Sequence, residues 1–362
     1  MSNTSWTDDV LVPDPQNAFG ISFSPAAATF NGKMYIFHQG RGNDGRIWYC
    51  TNDGRSWGAD TQLPEHSYYY PVKNSPAVAV FQNKLFVAYH NENDQISVGW
   101  LDSSGIWHNM PGATYFHISY SPALAVYNDR LYMAYQGSGD TAGKLMITST
   151  DGNTWTAEEP VGASLTGSPG LVAFQGILYC FHKGTTDKFD TQRTDYIEKL
   201  TIKTAKIAAP GGSELVAAVA AAGVLGVAGD AIAQGITMAT NRRSDWTWVT
   251  SYDANAGQWV PDYLCPSSAD AYGVNSEGIA VIEYQNRLIC IRQGRDNSQL
   301  WCGGYANGGG WSDDVAMGVP GNTYCTTGAP GLAVLNGTLY CFHQCKNDGG
   351  WMMLTTIKLP AI

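Results

Sequence analysis

The sequence has little charge, and its balance is acidic. Only 14% of the 362 residues are Asp, Glu, Lys or Arg, and the formal net charge is −10. The one cluster of basic residues is Arg242-Arg243. A protein that neutralises phosphate groups needs a basic surface. The composition therefore argues against nucleic acid and against an anionic membrane surface as partners.

A long apolar run and a secretory leader pattern are also lacking. The opening residues Met1–Ser5 are polar, unlike a signal peptide. The stretch Leu215–Gly229 is rich in Ala and Gly and shorter than the roughly 20 residues that cross a bilayer. We expect no membrane span, and a protein that is cytoplasmic or released without a signal peptide. A buried strand pair is the expected structure of this stretch, with a helix over Leu215–Ala233 as the alternative.

The cysteines do not form a disulfide or metal pattern. Cys180, Cys290 and Cys341 occupy one position of a repeat in which other copies carry Ile, Val or Met. Such a position takes a small apolar filler, so we expect reduced thiols. Cys341, His343 and Cys345 alternate along one predicted strand, which places the two cysteine Cα atoms about 13 Å apart. One zinc ion with bonds of about 2.3 Å cannot join them, and the sequence predicts neither a metal site nor a cofactor.

A repeated unit accounts for most of the chain. Each copy has a small-residue run, a tight turn, a second apolar run and a polar loop. Seven copies begin near Ser24, Ser75, Ser121, Ser168, Ser213, Ser276 and Ala329. The copy at Ser213 is poorly preserved, and residues 185–245 are irregular. A period of roughly 45–60 residues is typical of stacked supersecondary units.

One copy contains the signals of four strands. In the third copy these are Ala123–Tyr127, Leu131–Tyr135, Lys144–Ser149 and Thr154–Thr156. Turn residues separate them, and Asp-Gly is a strong hairpin signal. Four antiparallel strands per period make one propeller blade. The sequence therefore predicts an all-β fold, a seven-bladed β-propeller of four-stranded antiparallel blades that forms a single domain over residues 1–362.

The two ends of the chain indicate how the ring closes. The sixth copy ends in Gly310–Val315, and the chain opens with the similar segment Ser5–Val10. The last copy has three strands and stops at Ile362. We expect the N-terminal segment to supply the missing fourth strand, which removes the exposed edge of an open ring.

The candidate site lies on the face of the propeller that carries the loops between the second and third strands of each blade. There, each second strand ends in two consecutive polar residues, called here the polar pair. An acid follows a few residues later, and several third strands carry Trp. A planar ring packs on the C–H face of a pyranose, and Asp, Gln and His supply fixed partners for hydroxyl groups. The candidate carbohydrate-binding residues are His38, Gln39, Asp44, Trp48, Tyr89, His90, Asp94, Trp100, Tyr135, Gln136, Asp140, His182, Arg292, Gln293, Asp296, Trp301, His343 and Gln344. The alternative is that the polar pair only closes the loop, with the acid bonding backbone amides.

Two hairpins resemble a known motif. Tyr49–Trp57 and Ser149–Trp155 resemble the Asp-box of sialidase-type propellers, with one residue fewer between Asp and Gly. In that family the box is a structural turn, so the resemblance implies blade topology. In architecture and repeat style, the chain resembles the propeller lectins of fungi and bacteria. That resemblance implies a soluble sugar-binding protein and transfers no site residue.

The favoured hypothesis is a multivalent lectin that recognises glycans or glycoproteins through repeated shallow sites, because several weak sites on one body gain avidity. One alternative is a sialidase-like or other glycoside hydrolase with a single central site, which needs a carboxylate pair. The Arg-Ile-Pro motif of sialidases is missing from the sequence, so we expect binding rather than catalysis. The second alternative is a propeller that holds a protein partner on the same face.

Overall fold

A computed structural model of the chain describes residues 6–13, 19–63, 71–110, 112, 115–184, 246–265, 278–294, 298–306, 310–312, 314–319, 322–346 and 350–358. These residues form β-strands and one 3₁₀ turn, Gly139–Thr141. Within these ranges, no helix has the length and apolar character needed to cross a bilayer.

Strand β1 (Val10–Leu11) lies apart from the strands that follow it, at the outer edge of the last blade. Blade one consists of β2 (Ile21–Phe30), β3 (Lys33–Gly40), β4 (Ile47–Asn52) and β5 (Thr61–Gln62). Blade two consists of β6 (Ala77–Phe81), β7 (Lys84–His90), β8 (Ile96–Leu101) and β9 (Trp107–Met110). Blade three consists of β10 (Ala123–Tyr127), β11 (Arg130–Gln136), β12 (Lys144–Thr150) and β13 (Glu159–Ser164).

The remaining blades repeat this antiparallel order. Blade four consists of β14 (Gly170–Phe174), β15 (Ile177–Lys183), β16 (Thr247–Asp253) and β17 (Gln258–Leu264). Blade five consists of β18 (Ala280–Tyr284), β19 (Arg287–Gln293), β20 (Leu300–Ala306), and the short strands β21 (Gly310–Trp311) and β22 (Val315–Ala316). A separate hairpin follows, with β23 (Gly318–Val319) and β24 (Asn322–Thr323). Blade six consists of β25 (Gly331–Leu335), β26 (Thr338–Gln344), β27 (Met352–Ile357) and β1.

The described residues therefore form six blades, and the predicted number of seven is wrong. The error lies in the fourth and fifth predicted copies. Strand β15 pairs directly with β16, with Leu178 opposite Tyr252 and Lys183 opposite Thr247. The strand after Trp246, assigned to a fifth copy from the sequence, is thus the third strand of blade four. The predicted start at Ser213 and the predicted strand pair or helix near Leu215 lie outside the described residues.

The first hairpin of each blade explains the regularity of the ring. Asn31 and Gly32 both have positive φ, at 49° and 73°, and so do Asn128 and Asp129, at 46° and 55°. Two consecutive positive φ values define the turn whose twist matches that of the flanking strands. Asn, Asp and Gly adopt this conformation most readily. The Asn-Gly and Asn-Asp dipeptides therefore fix the register of the inner two strands.

The core lies between neighbouring blades. One cluster joins Phe86 of blade two to Met133 and Tyr135 of blade three, and all three side chains are fully buried. The predicted filler position is buried in every blade, occupied by Ile36, Val87, Met133, Cys180, Cys290 and Cys341. Burial raises the pKa of the Cys290 thiol to about 12, so this group stays protonated and unreactive at neutral pH.

Tryptophans that precede the fourth strands also pack between blades. Trp57 of blade one meets Phe342 of blade six edge-on, with ring centroids 6.0 Å apart. Trp155 packs against the cluster between blades two and three. Edge-to-face aromatic pairs add about 0.5–1.5 kcal/mol beyond the area they bury. These residues therefore stabilise the contacts between blades.

The N-terminal segment closes the ring. Val10 pairs with Leu354, and the Thr7 backbone N–H donates to the Thr356 carbonyl oxygen over 2.9 Å. His343 Nε2 lies 3.0 Å from the Asp9 carboxylate. Blade six is thus built from both ends of the described chain, as the sequence predicts.

The inner strands surround an axial channel of about 770 Å³. Its wall consists mainly of the Ser-Pro-Ala and Ser-Pro-Gly segments that open the blades. Two of these segments are joined to their neighbours by serine: the Ser24 backbone N–H donates to Ser75 Oγ over 2.8 Å, and that of Ser121 to Ser168 Oγ over 3.0 Å. Small side chains and these bonds hold neighbouring inner strands together at the channel wall.

Candidate functional site

In most blades the first member of the polar pair contacts an acid of the same blade. In five blades a hydrogen bond or ion pair joins it to a carboxylate near the fourth strand. The pairs are His38–Asp60 (3.1 Å), Tyr135–Glu158, His182–Asp262 (2.8 Å), Arg292–Asp314 (2.9 Å) and His343–Asp9 (3.0 Å). A buried polar group costs free energy unless it has such a partner. These pairs tie the second strand to the outer edge of the blade.

In four blades the second member is a glutamine that bonds to the segment leading into the next blade. Gln39 Nε2 donates to the Val72 carbonyl oxygen over 2.6 Å, and Gln293 Nε2 to that of Thr326 over 2.8 Å. Gln344 Nε2 donates to the Ile21 carbonyl oxygen over 2.7 Å, which joins blade six to blade one. In blade three the direction is reversed, because the Gln136 side chain accepts from the Gly167 N–H over 2.8 Å.

Most of the predicted site residues are consequently buried. His38, Gln39, Tyr89, His90, Tyr135, Gln136, His182, Arg292, Gln293 and His343 are each at most 9% exposed, and Gln344 is half-buried. Their contacts support a structural role, which is the alternative that the sequence left open. Sugar binding by these residues stays a prediction.

Trp100 lies at the wrong end of its blade for the predicted site. It stands opposite Phe86, near the start of the second strand, whereas Trp48 stands opposite His38, near the end of that strand. Trp100 stacks on His108 with centroids 5.4 Å apart, and Lys84 Nζ lies 4.7 Å from its ring centre. The sequence placed Trp100 by strand number alone, without the strand register.

Other predicted residues are dispersed around the rim. The exposed Asp94 carboxylate accepts from Lys73 Nζ over 2.6 Å and faces His90 Nε2 at 2.9 Å. Asp140 is exposed in the 3₁₀ turn of blade three. Trp301 is half-buried, opposite Arg292 in blade five. Asp296 lies outside the described residues.

The structure brings Asp44 and Trp48 together in one concave site. It lies between blades six and one, has a volume of about 300 Å³, and is called here the blade six–one groove. The lining residues are Gly20, Gly40, Arg41, Asp44, Trp48, Asp60 and Trp351.

The loop after β3 builds the first wall of the groove. Asp44 Oδ1 accepts the Arg46 backbone N–H, and Asp44 Oδ2 accepts Trp48 Nε1–H, both over 2.9 Å. A Cβ atom on Gly40 would lie only 2.1 Å from Asp44 Oδ2. Glycine at position 40 therefore allows the carboxylate to fold back against the strand and fix the indole of Trp48.

Blade six supplies the opposite wall. A backbone bridge pairs Trp351 with Gly20, and the Arg41 guanidinium carbon lies 4.5 Å from the centre of the Trp351 ring. Arg41 packs directly over Gly20, where a Cβ atom would lie 2.7 Å from Arg41 Cδ. A cation over an indole contributes about 0.5–1 kcal/mol at an exposed site, which holds Arg41 across the groove.

The groove thus combines two indoles, a guanidinium group and two carboxylates. Arg41 and Asp44 are exposed, whereas Trp48, Asp60 and Trp351 are half-buried. Arg offers several N–H donors in a fixed plane, and a carboxylate offers acceptors only. This donor and acceptor set beside apolar ring faces matches the chemistry of a pyranose, with its vicinal hydroxyl groups and its C–H face.

The list of candidate residues from the sequence omits Arg41, Asp60 and Trp351. Arg41 stands in the segment Gln39-Gly40-Arg41, which recurs in the sequence as Gln293-Gly294-Arg295. That recurrence could have identified Arg41 as a candidate residue from the sequence. Trp351 could not be found in this way, because its relation to Trp48 arises only when blade six meets blade one.

Strand register shows which blades resemble blade one. The residues opposite the first member of the polar pair are Trp48, Ser97, Met146, Trp248, Trp301 and Met353. Tryptophan therefore occupies this position in blades one, four and five.

Within the described residues, no group of three or more His, Cys, Asp or Glu side chains could hold a metal ion. The donor set of the blade six–one groove includes a guanidinium cation beside the carboxylates. Such a site suits a polar organic ligand.

Comparisons with known proteins give the same fold. A mutant lectin from Aleuria aurantia in complex with Fucα1-6GlcNAc superposes with a TM-score of 0.56 and 12% identity, covering 95% of this chain and 98% of that one. A crystal structure of this lectin, described as a six-bladed β-propeller with a novel fucose recognition mode, gives 0.55 and 13%, covering 95% and 99%.

Propeller hydrolases are equally similar. An α-L-arabinanase from Penicillium chrysogenum with arabinobiose gives a TM-score of 0.61 and 11% identity, covering 98% of both chains. No protein-family model and no curated protein sequence matches this chain. The comparisons therefore show the β-propeller fold, shared by lectins and glycoside hydrolases.

Proposed function

We propose that the protein is a lectin that binds a sugar unit of a glycan in the blade six–one groove. The observation that supports this proposal is the convergence of Trp48, Trp351, Arg41 and Asp44 on one concave surface. A volume of about 300 Å³ is at the lower end of known ligand sites and suits a single sugar ring. The structural neighbours include a lectin solved with Fucα1-6GlcNAc and with α-methyl-L-fucoside, which is consistent with this class of ligand.

The groove supplies each part of sugar recognition from a different segment. The Trp48 indole, held by Asp44, offers an apolar surface for the C–H face of the ring. Arg41 donates to hydroxyl oxygens, and the carboxylates of Asp44 and Asp60 accept from hydroxyl groups. Charged partners roughly double the strength of such hydrogen bonds.

Multivalency is the finer part of the proposal. Trp248 and Trp301 occupy the same strand position as Trp48. Blades four and five therefore offer a similar indole at the same rim. Several weak sites on one rigid ring would bind a branched or surface-bound glycan more tightly than a single site, through avidity.

The axial channel does not favour hydrolysis. Hydrolysis of a glycosidic bond ordinarily needs two carboxyl groups beside it. In the part of the chain that the structure describes, no Asp or Glu lines the channel. Binding is therefore better supported than a central active site.

A glycan array followed by titration calorimetry tests the proposal. We expect Trp48→Ala to weaken binding of the best sugar in the blade six–one groove at least tenfold, which corresponds to about 1.4 kcal/mol, and to leave any sites in blades four and five intact. Trp100→Ala is the matched control: it removes another half-buried indole at the opposite end of a blade and should leave binding unchanged.

Sugar binding that Trp100→Ala and Trp48→Ala weaken equally would contradict the groove as the binding site. The absence of any glycan ligand, together with release of an aryl leaving group from a glycoside, would contradict the lectin and favour the hydrolase. Capture of a protein partner that free sugar cannot displace would favour the protein-binding alternative.

A further inference from the structure

The loop after β3 separates the blade six–one groove from the axial channel. Arg41 and Asp44 line the groove, whereas Gly42 and Asn43, between them in sequence, line the channel. The Asn43 backbone N–H donates to Ser22 Oγ over 2.9 Å, which fixes the loop against the innermost strand. The two cavities therefore share one wall, four residues long.

The channel wall beside this loop carries Phe23, which is the single aromatic side chain among the described residues that line the channel. Its φ is 61°, at a bulge where the pairing between β2 and β3 is interrupted between Ser22 and Ala26. A bulky residue with positive φ is strained, and strain of this kind concentrates at sites that contact ligands. Glycine would adopt the same φ at no steric cost. The strained phenylalanine therefore supports a role for its ring in contacting a ligand.

Polar groups flank Phe23. Asn43 Oδ1 accepts from Gln39 Nε2 over 2.7 Å, while Asn43 Nδ2 has no partner among the described residues. Asn74 Nδ2 contacts His90 Nδ1 over 2.8 Å, while Asn74 Oδ1 likewise has no partner in the described ranges. Both amides line the channel. They offer one free donor and one free acceptor beside an aromatic ring.

The chemistry of this corner selects a neutral ligand. No charged side chain appears among the described residues that line the channel. An aromatic face with uncharged amide groups fits a hydroxyl-bearing ring without a carboxylate or phosphate group. The channel volume of about 770 Å³ exceeds that of one sugar site and is within the usual range of roughly 300–1,000 Å³ for ligand cavities.

We propose that Phe23, Asn43 and Asn74 form a second subsite at the channel mouth. It would take the next unit of a neutral oligosaccharide whose first unit occupies the groove. The glycan crosses the loop at Gly42, where no side chain obstructs it. This inference rests on the proposed lectin function and assigns its ligand as a chain of at least two neutral sugar units.

Blade three contains a matched control residue. Tyr120 precedes Ser121-Pro122 as Phe23 precedes Ser24-Pro25. Tyr120 is also half-buried, but it does not line the channel. Replacing either aromatic with glycine therefore makes a similar chemical change at the same place in the repeat, and only one of the two touches the proposed subsite.

The experiment compares chain lengths. Titration calorimetry measures the affinity of the wild-type protein for neutral monosaccharides and for the matching di- and trisaccharides, including methyl α-L-fucoside and Fucα1-6GlcNAc. We expect the disaccharide of the best series to bind at least tenfold more tightly than its monosaccharide. Phe23→Gly should remove most of that gain and leave monosaccharide affinity unchanged, whereas Tyr120→Gly should retain the gain.

A second variant guards against a folding defect in Phe23→Gly. Asn43 also has positive φ, at 59°, so Asn43→Gly keeps the backbone conformation while it removes the amide. We expect the same selective loss. A wild-type protein that binds monosaccharides with no gain from a second unit overturns the subsite alone. A disaccharide gain that persists in both Phe23→Gly and Asn43→Gly also overturns the subsite. A gain that falls as much in Tyr120→Gly as in Phe23→Gly does so too. Failure of every neutral sugar to bind overturns the lectin proposal itself.

Discussion

Blades one and three share one frame and differ in the loop that follows it. In both, the second strand ends in a buried residue bonded to an acid, His38 to Asp60 and Tyr135 to Glu158. Both continue with a glycine. A Cβ atom on Gly40 would meet the Asp44 carboxylate, and one on Gly137 would lie 2.2 Å from Thr141 Oγ1.

What folds against the glycine decides what the rim can do. In blade one it is an acid that fixes the half-buried indole of Trp48. In blade three, Thr141 donates to the Ser138 carbonyl oxygen within the turn, and Met146 fills the position of Trp48 at 2% exposure. The same backbone therefore supports an open groove in one blade and a closed apolar contact in the other.

The largest expected effect concerns the frame of blade three. Tyr135→Ala removes a fully buried aromatic ring and its bond to Glu158. Truncation of a buried aromatic residue costs about 3–5 kcal/mol, so chemical denaturation should show a loss of that size. Sugar affinity of the folded fraction should stay unchanged. A loss of affinity without a loss of stability would show that Tyr135 contacts the ligand, contrary to the comparison.

The next effect distinguishes the two residues at the equivalent position. Met146→Ala should lower the free energy of unfolding by about 2–5 kcal/mol, because it leaves a cavity between blades two and three. Trp48→Ala should cost less stability, since its indole is half-buried, and should instead reduce sugar binding. Denaturation and calorimetry on both variants test this crossed pattern. Equal stability losses would mean that the indole of Trp48 is also a core residue.

Acid should weaken blade two through His90. Burial lowers the pKa of His90, and Asp94 only partly opposes that shift. The Nδ1 atom faces the amide of Asn74, and Nε2 faces Asp94, with Lys73 nearby. The unfolded chain therefore takes up a proton first, and stability falls as pH drops below about 6.5, the ordinary histidine value.

Thermal unfolding between pH 7.5 and pH 5 measures this dependence. We expect the melting temperature to fall over that interval in the wild-type protein. The fall should be smaller in His90→Asn, which lacks the titrating group. A steeper fall in the variant would contradict the assignment to His90.

The smallest effect is expected at Asp140. Its side chain is exposed in the turn of blade three, and no basic residue follows in that turn. Asp140→Ala should change the free energy of unfolding by less than about 0.5 kcal/mol and leave sugar affinity unchanged. Asp44→Ala is the counterpart in blade one, and a similarly silent result there would remove the reason for contrasting the two loops.

The four-stranded blade could be predicted from the sequence because each strand and each turn is specified by residues close together in the chain. Asn31-Gly32 and the alternating Ala123–Tyr127 strand were sufficient to predict their hairpins. The blade number was lost at residues 185–245, since strand pairing between β15 and β16 joins segments that are far apart in the chain. Counting blades by the starts of repeats assumes short connections between strands, and the connection between β15 and β16 is long.

The groove was only half predictable. Asp44 and Trp48 belong to one repeat and could be found by comparing copies. Trp351 enters the site from the other end of the chain, and Arg41 acquires its place by packing on Gly20 and that indole. For the polar pairs, the sequence shows the residue type and not whether its hydrogen bonds are already made inside the blade, so their role in sugar binding stays a prediction.

The shared construction of blade six limits how such a ring can change in size. Its outer strand comes from the opening segment and its other three strands from the closing segment. Removing one repeat from either terminus would leave the edge of one blade unpaired. A blade could then be gained or lost only by copying or deleting a whole unit at an interior position, so the size of the ring changes in steps of four strands.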